Sequence, residues 1–550
     1  MARGAGLVLL IVFGTGVFLA GLELMITAVA LPSILVDLVT TSSGSSWIEL
    51  RKASWIVNGY LLVYVVTMPL AGRLADLWGV RRLFLWALAT FVVGSVLAGA
   101  AQDLDQLIAA RLLQAAGGGV LVPVGTAAAS HLFAGHARPR ALGVIGALTF
   151  LGMAAGPFVG AAILGSLHPE AGLARLGLSG TTLAEALAPT WRWVFYVNVP
   201  VGIVALVLGW AASAGWETPR RTGRVDLVGA GAFSLALAAA LIGLTLIGST
   251  EIAGIDIEPL ELTLVLFVVA IVATLLTIVR DLRRDDPFLD VRLFRSVPFS
   301  SAALVSLLTG YAFATAIIGG AVFVDRVLYG GPDDQRLALG ALAAATALGA
   351  LASGFAVRVL SLRLVTVAGL ALSIGGLLAM ARWDASVTIE TVAAGLGTFG
   401  LGFGLTVTPR STAAVESAGR RAFGVASAIV TVARMIGMAI GLAILTAYGS
   451  TTIDRLTDQV YATPEAYREV IPERLRDRPL RDPFVVEALE DWASREAAGI
   501  MVGLFVVAAG LSVVAVPPGL ALGGRRRHAG GADATDEPAT TADDEPPAVL

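Results

Sequence analysis

The chain of 550 residues is 56 % hydrophobic and only 14 % charged, with a mean hydropathy of +0.81 and a formal net charge of −3. Soluble domains carry about a quarter charged residues, so this composition excludes a water-soluble globule, and the near-neutral balance excludes a nucleic-acid-binding surface. Cysteine is absent, which excludes disulfides and thiolate metal sites.

What remains is an all-α polytopic membrane protein. A span needs about 20 mostly apolar residues, and no alternating barrel pattern occurs. In chain order such runs lie near 7–34, 54–75, 83–101, 106–132, 141–166, 191–212, 226–249, 260–280, 298–324, 336–358, 364–382, 390–412, 422–448 and 498–516, about fourteen helices. Leu7 to Leu31 is too long for a signal-peptide core and lacks a small-residue cleavage site, so it reads as the first span. Alternate short loops are arginine-rich: Arg81 and Arg82, Arg138 and Arg140, Arg220, Arg221 and Arg224, Arg280 to Arg295, Arg358 and Arg363, Arg420 and Arg421. By the positive-inside rule these are cytoplasmic, as are both termini. The plasma (inner) membrane of a bacterium is the expected location.

The first span carries Glu23 near its middle, in "GLELMITAVALP" (21–32), and the second holds the polar Asn58. The loop "GRLADLWGVRR" (72–82) follows, with Gly72, Asp76, Gly79, Arg81 and Arg82. The Asp76 carboxylate can accept hydrogen bonds at a helix end and pair with a base of its own loop, latching two parts of the molecule. The fourth span has Arg111 in its outer half, with Gln114 one turn on. In the fifth, "GMAAGPFVG" (152–160), Gly152, Gly156 and Gly160 let backbones approach closely and Pro157 perturbs the helix ladder. Toward the end of the twelfth stands Arg410, with Glu416 as a candidate partner. The thirteenth carries Arg434 in "VTVARMIGMAIG" (430–441), beside the soft side chains Met435 and Met438. Ionisable groups inside spans are expensive and face a cavity or a partner. Glu23 is therefore a candidate proton switch that needs no cofactor. Arg434, with Gln114, Asn58, Met435 and Met438, marks a candidate substrate cavity; it can pair with Glu23 or hold a polar or anionic head of a substrate.

An internal repeat organises these spans. "RALGVIGALTFLGMAAGPFVGAAIL" (140–164) aligns with "RAFGVASAIVTVARMIGMAIGLAIL" (421–445), matching Arg140, Ala141, Gly143, Val144, Ala147, Gly156, Gly160, Ile163 and Leu164. The preceding helices match too, pairing Pro123 with Pro409 and Thr126 with Thr412. Two consecutive helices repeated in the same orientation imply parallel halves. The expected organisation is a six-helix bundle (1–212), two inserted spans with a cytoplasmic linker (213–297), a second six-helix bundle (298–516) with an outer segment at 450–497, and a disordered tail (517–550). The twin of Arg434 is Met153, so the fold does not require a charge there, which favours a functional role.

On these motifs the chain resembles the major facilitator superfamily. "GRLADLWGVRR" is similar to its loop between spans two and three, and Gly152, Gly156, Pro157 and Gly160 are similar to its antiporter signature. "GLELMITAVALP" and "WRWVFYVNVPVG" (191–202) resemble the fourteen-span drug:proton antiporters. The resemblance implies that the first and fourth helices flank a central cavity, making Arg111 the partner of Glu23, either in proton coupling or as a static bridge. It further implies a proton-coupled exporter of hydrophobic drugs or lipids, alternating in access. The "VARMIGMAIG" segment, the charged outer segment and the inserted spans also resemble mycobacterial triacylglyceride exporters, which hand lipid to a periplasmic lipoprotein. Those carry an acid in the fifth-span signature, where Phe150 or a neighbour stands here. Segment 450–497, broken at Pro464, Pro472, Pro479 and Pro483, either extends the flanking spans outward or forms a solvated loop. No P-loop, HExxH or paired GxSxG occurs, so an enzyme, an ATP-driven pump or a metal site is not expected.

Overall fold

A computed structural model describes residues 3–38, 55–135, 137–175, 177, 181, 187–218, 226–247, 258–284, 287–419, 422–461 and 466–523. Among them, fourteen helices are long and apolar enough to cross a membrane. They are α1 (Arg3–Leu38), α2 (Trp55–Trp78), α3 (Val80–Ala100), α4 (Leu104–Leu132), α5 (Ala137–Ser166), α6 (Asn198–Ala212, which spans together with the helical turns that lead into it from Thr190), α7 (Leu227–Leu246), α8 (Pro259–Arg283), α9 (Val297–Arg326), α10 (Pro332–Ala356), α11 (Leu362–Met380), α12 (Ile389–Ala418), α13 (Phe423–Tyr461) and α14 (Pro483–Val514). Arg220, Arg221, Arg224, Arg420, Arg421, Pro464 and residues 524–550 of the tail lie outside the described residues. The first residues of that tail are helical: α15 (Val516–Ala521) packs Gly519 against Thr366 and Leu370 of α11.

The repeat is visible as packing. In the first half the glycine stripe of α5 lies on α1: a Cβ at Gly156 would fall 2.9 Å from the Ile26 nitrogen. In the second half the matching stripe of α13 lies on α9, where a Cβ at Gly441 would fall 2.9 Å from the Tyr311 oxygen. The two stripes permit backbone contact where any side chain would hold the helices apart. Pro157 is accommodated within a continuous α5.

The halves meet closely at the arginine-rich end. Gly72 of α2 packs on α13, where a Cβ would lie 2.7 Å from both the Gly424 oxygen and the Ala428 Cβ; Gly143 of α5 packs on α10, where it would lie 2.9 Å from the Ala350 oxygen. Asp76 crosses this seam. Its carboxylate accepts from the Gly424 and Val425 amides at 3.0 and 3.1 Å, capping the first turn of α13 in the other half. A further bond runs from the Ser427 hydroxyl to the Pro123 oxygen at 3.0 Å. The expected contact of Asp76 with a helix end is thus made across the halves. Gly79 sits at φ 89°, turning the chain into α3, and Arg81 donates to Ser213 at 2.8 Å, tying the loop to the end of α6; Arg82 is exposed. At the equivalent α5–α10 contact, Gly143 meets Gly354 and Ala350, with no carboxylate.

The inserted pair, α7 and α8, rests on the same seam: Ala230, Phe288 and Leu289 form a small core with Val425 of α13. Asp226 caps α7 through the Gly229 amide and is held by Arg280 Nε and Nη2, each at 2.8 Å. That bidentate guanidinium draws the Asp226 carboxyl down to about 2. At the opposite end α13 and α14 project past their apolar stretches. Val460, Tyr467, Ile471, Leu475 and Val485 close a minor core there, and the Tyr467 hydroxyl donates to the Arg478 oxygen at 2.9 Å. The outer segment therefore begins and ends as continuations of its spans.

Candidate functional site

Two polar sites lie on either side of mid-depth. The first is closed inside the amino-terminal bundle, in the half away from the arginine-rich end. Glu23 of α1 is fully buried and forms an ion pair with Arg111 of α4, itself 1 % exposed. The second Glu23 oxygen accepts from Asn198 Nδ2 at 2.6 Å, and the Thr27 hydroxyl donates to the first at 2.9 Å. Arg111 also donates to Gln114 Oε1 at 2.6 Å, and Gln114 passes the chain on to Ser95 at 2.8 Å. The Tyr60 ring lies 3.9 Å from the Arg111 guanidinium carbon. Five helices supply this network, so neither charge is uncompensated. Gly94 is required behind it, because a Cβ would sit 2.5 Å from the Gln114 Cα.

The motif "WRWVFYVNVPVG" explains itself here. Trp191 donates to Asp37 at 2.9 Å and Arg192 to the Gly99 oxygen at 2.8 Å, fixing the short turn that enters α6. That turn delivers Asn198 to Glu23. Asn198, Thr27 and Ser95 were not among the residues expected from sequence: a neutral polar residue in a span carries little signal, although Asn198 lay inside a segment already singled out.

The second site is a small cavity between the halves, on the arginine-rich side of mid-depth. Arg410 of α12 and Arg434 of α13 face it, with Thr126, Thr149, Ser306 and Thr431 among its walls. An aromatic layer bounds it at mid-depth: Phe313 and Phe403 stack at 4.6 Å, and Phe150 from the other half meets them edge-on at 5.5 and 5.4 Å. Arg434 lies 5.5 Å from the Phe150 ring and Arg410 5.3 Å from Phe403. Gly310 of α9 makes room for Arg434, since a Cβ there would run into its carbonyl. Tyr60 and Tyr64, stacked at 5.7 Å, lie between the two sites, and Tyr64 is within electrostatic range of Arg434.

Several expectations need correction. Of the residues assigned to the cavity, only Arg434 lines it. Gln114 belongs to the Glu23 network, and Asn58 is exposed on α2. Met435 packs against the amino-terminal core and Met438 against the carboxy-terminal one, so both serve packing. Arg434 does not pair with Glu23, whose oxygens are taken by Arg111, Asn198 and Thr27. Arg410 donates to Thr309 Oγ1 at 2.6 Å and to the Thr406 oxygen at 2.9 Å; Glu416 is exposed near Arg138 instead, because six residues place it more than a turn away.

Comparison with known proteins agrees with this architecture. The family model described as Major Facilitator Superfamily matches residues 13–442. The chain is 32 % identical over 536 residues to a triacylglyceride transporter of Mycolicibacterium hassiacum, covering 95 % of this chain and 93 % of the relative. It is 30 % identical over 516 residues to a triacylglyceride transporter of Mycobacterium tuberculosis, covering 90 % and 92 %. Among solved structures it is similar to the human organic anion transporter MFSD10 (TM-score 0.57, 14 % identity, 92 % and 99 % covered). It is also similar to a bacterial homologue of the human lysosomal transporter Spinster in its inward-facing state (TM-score 0.54, 17 % identity, 94 % and 97 % covered). Fourteen spans, duplicated halves and a family match running through both together make this chain a member of the Major Facilitator Superfamily.

Proposed function

We propose that the protein is a lipid exporter, powered by protons, that carries lipid of the triacylglyceride class from the inner leaflet region to the outer side of a bacterial plasma membrane. The observation that carries this reading is near-full-length similarity to transporters named for triacylglyceride. Drug export is the reading the shared motifs favour by themselves; the relatives move the assignment to lipid. In this account the arginine-rich end is cytoplasmic. The inter-half cavity is the substrate path, Asp76 with Gly72, Gly79, Arg81 and Arg82 is the latch, and the glycines of α5 with Pro157 are the pivot. Glu23 and Arg111 form the coupling pair. Protonating Glu23 would release Arg111, and access from the outer side would then alternate with desolvation. The continuations of α13 and α14 suit a dock for an envelope acceptor such as a lipoprotein.

The test is flux. The full chain is reconstituted in liposomes with a fluorescent triacylglyceride, and transfer of the lipid to acceptor vesicles is followed with and without an imposed pH gradient. Gradient-dependent transfer is expected. Equal transfer in protein-free liposomes would refute the lipid assignment, and gradient-independent transfer would refute the coupling.

A further inference from the structure

The two arginines of the inter-half cavity have no counter-ion. Among the described residues no Asp or Glu lines it. Three acids of the neighbouring spans have partners elsewhere: Glu23 with Arg111, Asp76 with the α13 amides, Glu416 near Arg138. Arg410, 2 % exposed, reaches only the neutral oxygens of Thr309 and Thr406. Arg434 leaves its Nε without a hydrogen-bond partner and offers its face to Phe150. The two guanidinium groups are also within electrostatic range of each other. Guanidinium does not lose its proton under protein conditions, so this region of the spans holds two like charges, one buried and one half-buried, that neutral oxygens and aromatic faces contact but that no carboxylate lining the cavity neutralises.

Resting on the export reading but going beyond its neutral triester, we propose that the cavity takes a second lipid class, one with an anionic headgroup, a carboxylate or a phosphate, and holds it more tightly than a neutral single-chain lipid. Either headgroup matches the planar donor fork of arginine, and two forks converging on one anion hold it better than one. The acyl chain runs along the apolar walls, Leu142, Ile145 and Val407, toward the aromatic layer. A neutral ester has acceptors but no charge, and leaves the pair uncompensated.

The experiment measures equilibrium binding to the full-length protein in zwitterionic nanodiscs. Three ligands share one chain: oleate, 1-oleoyl-lysophosphatidate and monooleoylglycerol. At least one anionic lipid is expected to bind tenfold or more tightly than the neutral one, oleate identifying a carboxylate site and lysophosphatidate a phosphate site. Arg434→Met, which copies the twin helix, should cut that preference at least fivefold, and Arg434→Lys should retain more of it. The wild-type preference stands as a test even if a variant fails to fold. Equal affinity for all three overturns the charge selection and leaves lipid export intact. Displacement by inorganic phosphate as efficient as by lysophosphatidate overturns the lipid component. Binding of none of the three overturns the inference, and lipid export then stands or falls on the triacylglyceride flux.

Discussion

Glu23 shows what a single side chain can do in this fold. Its carboxylate is fully buried, yet every oxygen has a donor, and its cation is bound in turn by Gln114, which Ser95 holds in place, and by the Tyr60 ring. Removing one partner of a buried pair costs about 3–5 kcal/mol because the other charge is stranded. Glu23→Gln should therefore lower thermal stability and abolish gradient-driven transport. Adding Arg111→Gln should restore most of the stability but none of the transport; recovery of transport in the double variant would reduce the pair to a packing bridge. Arg434→Met should remain folded and lose transport at least tenfold, and wild-type flux would remove Arg434 from the pathway. The sequence made Glu23, Arg111 and Arg434 legible because charge inside a span is rare. Asn58 and the methionines failed because orientation around a helix cannot be read without knowing which neighbour each face meets.

At the scale of elements, the contact proposed as a latch between α2 and α13 is a charge placed at a helix start, worth about 1 kcal/mol. Asp76→Asn keeps the shape and loses the charge. It should raise the fraction of molecules open at the arginine-rich end by about fivefold, read as a longer distance component between spin labels across the seam; an unchanged distribution would deny Asp76 that role. The inserted pair makes a separate prediction. The Asp226 carboxyl lies at about 2, below its ordinary value near 4, because Arg280 binds it on both oxygens. Its contribution is complete above about pH 4 and fades as pH falls toward 2. Between pH 6 and 3, wild-type thermal stability should fall more steeply than that of Asp226→Asn, and parallel curves would show that the pair does not stabilise the docked helices. Span positions were readable from apolar run length. The reach of α13 to Tyr461 and the start of α14 at Pro483 were open alternatives, since outside the membrane a charged run fits either a helix or a loop.

For the whole molecule, duplication explains both the packing and the asymmetry. The same glycine stripe seats α5 on α1 and α13 on α9, and the halves meet through small residues. The aligned sequences predicted this repeat correctly. They could not show that the Glu23 pair would sit within one half while the arginines faced the seam, because that depends on which helices of each half turn toward the other. If transport is a rocking of halves about the cavity, the two ends must open in opposition. The chain contains no cysteine, so labels can be placed without background at Ala134 and Leu360 near the arginine-rich end and at Gln102 and Ala385 near the other. Pulsed electron–electron resonance in nanodiscs, compared between Glu23→Gln and wild type with and without lipid, measures both distances. The account predicts reciprocal change, one pair lengthening as the other shortens; distances that move together, or do not move at all, would contradict it.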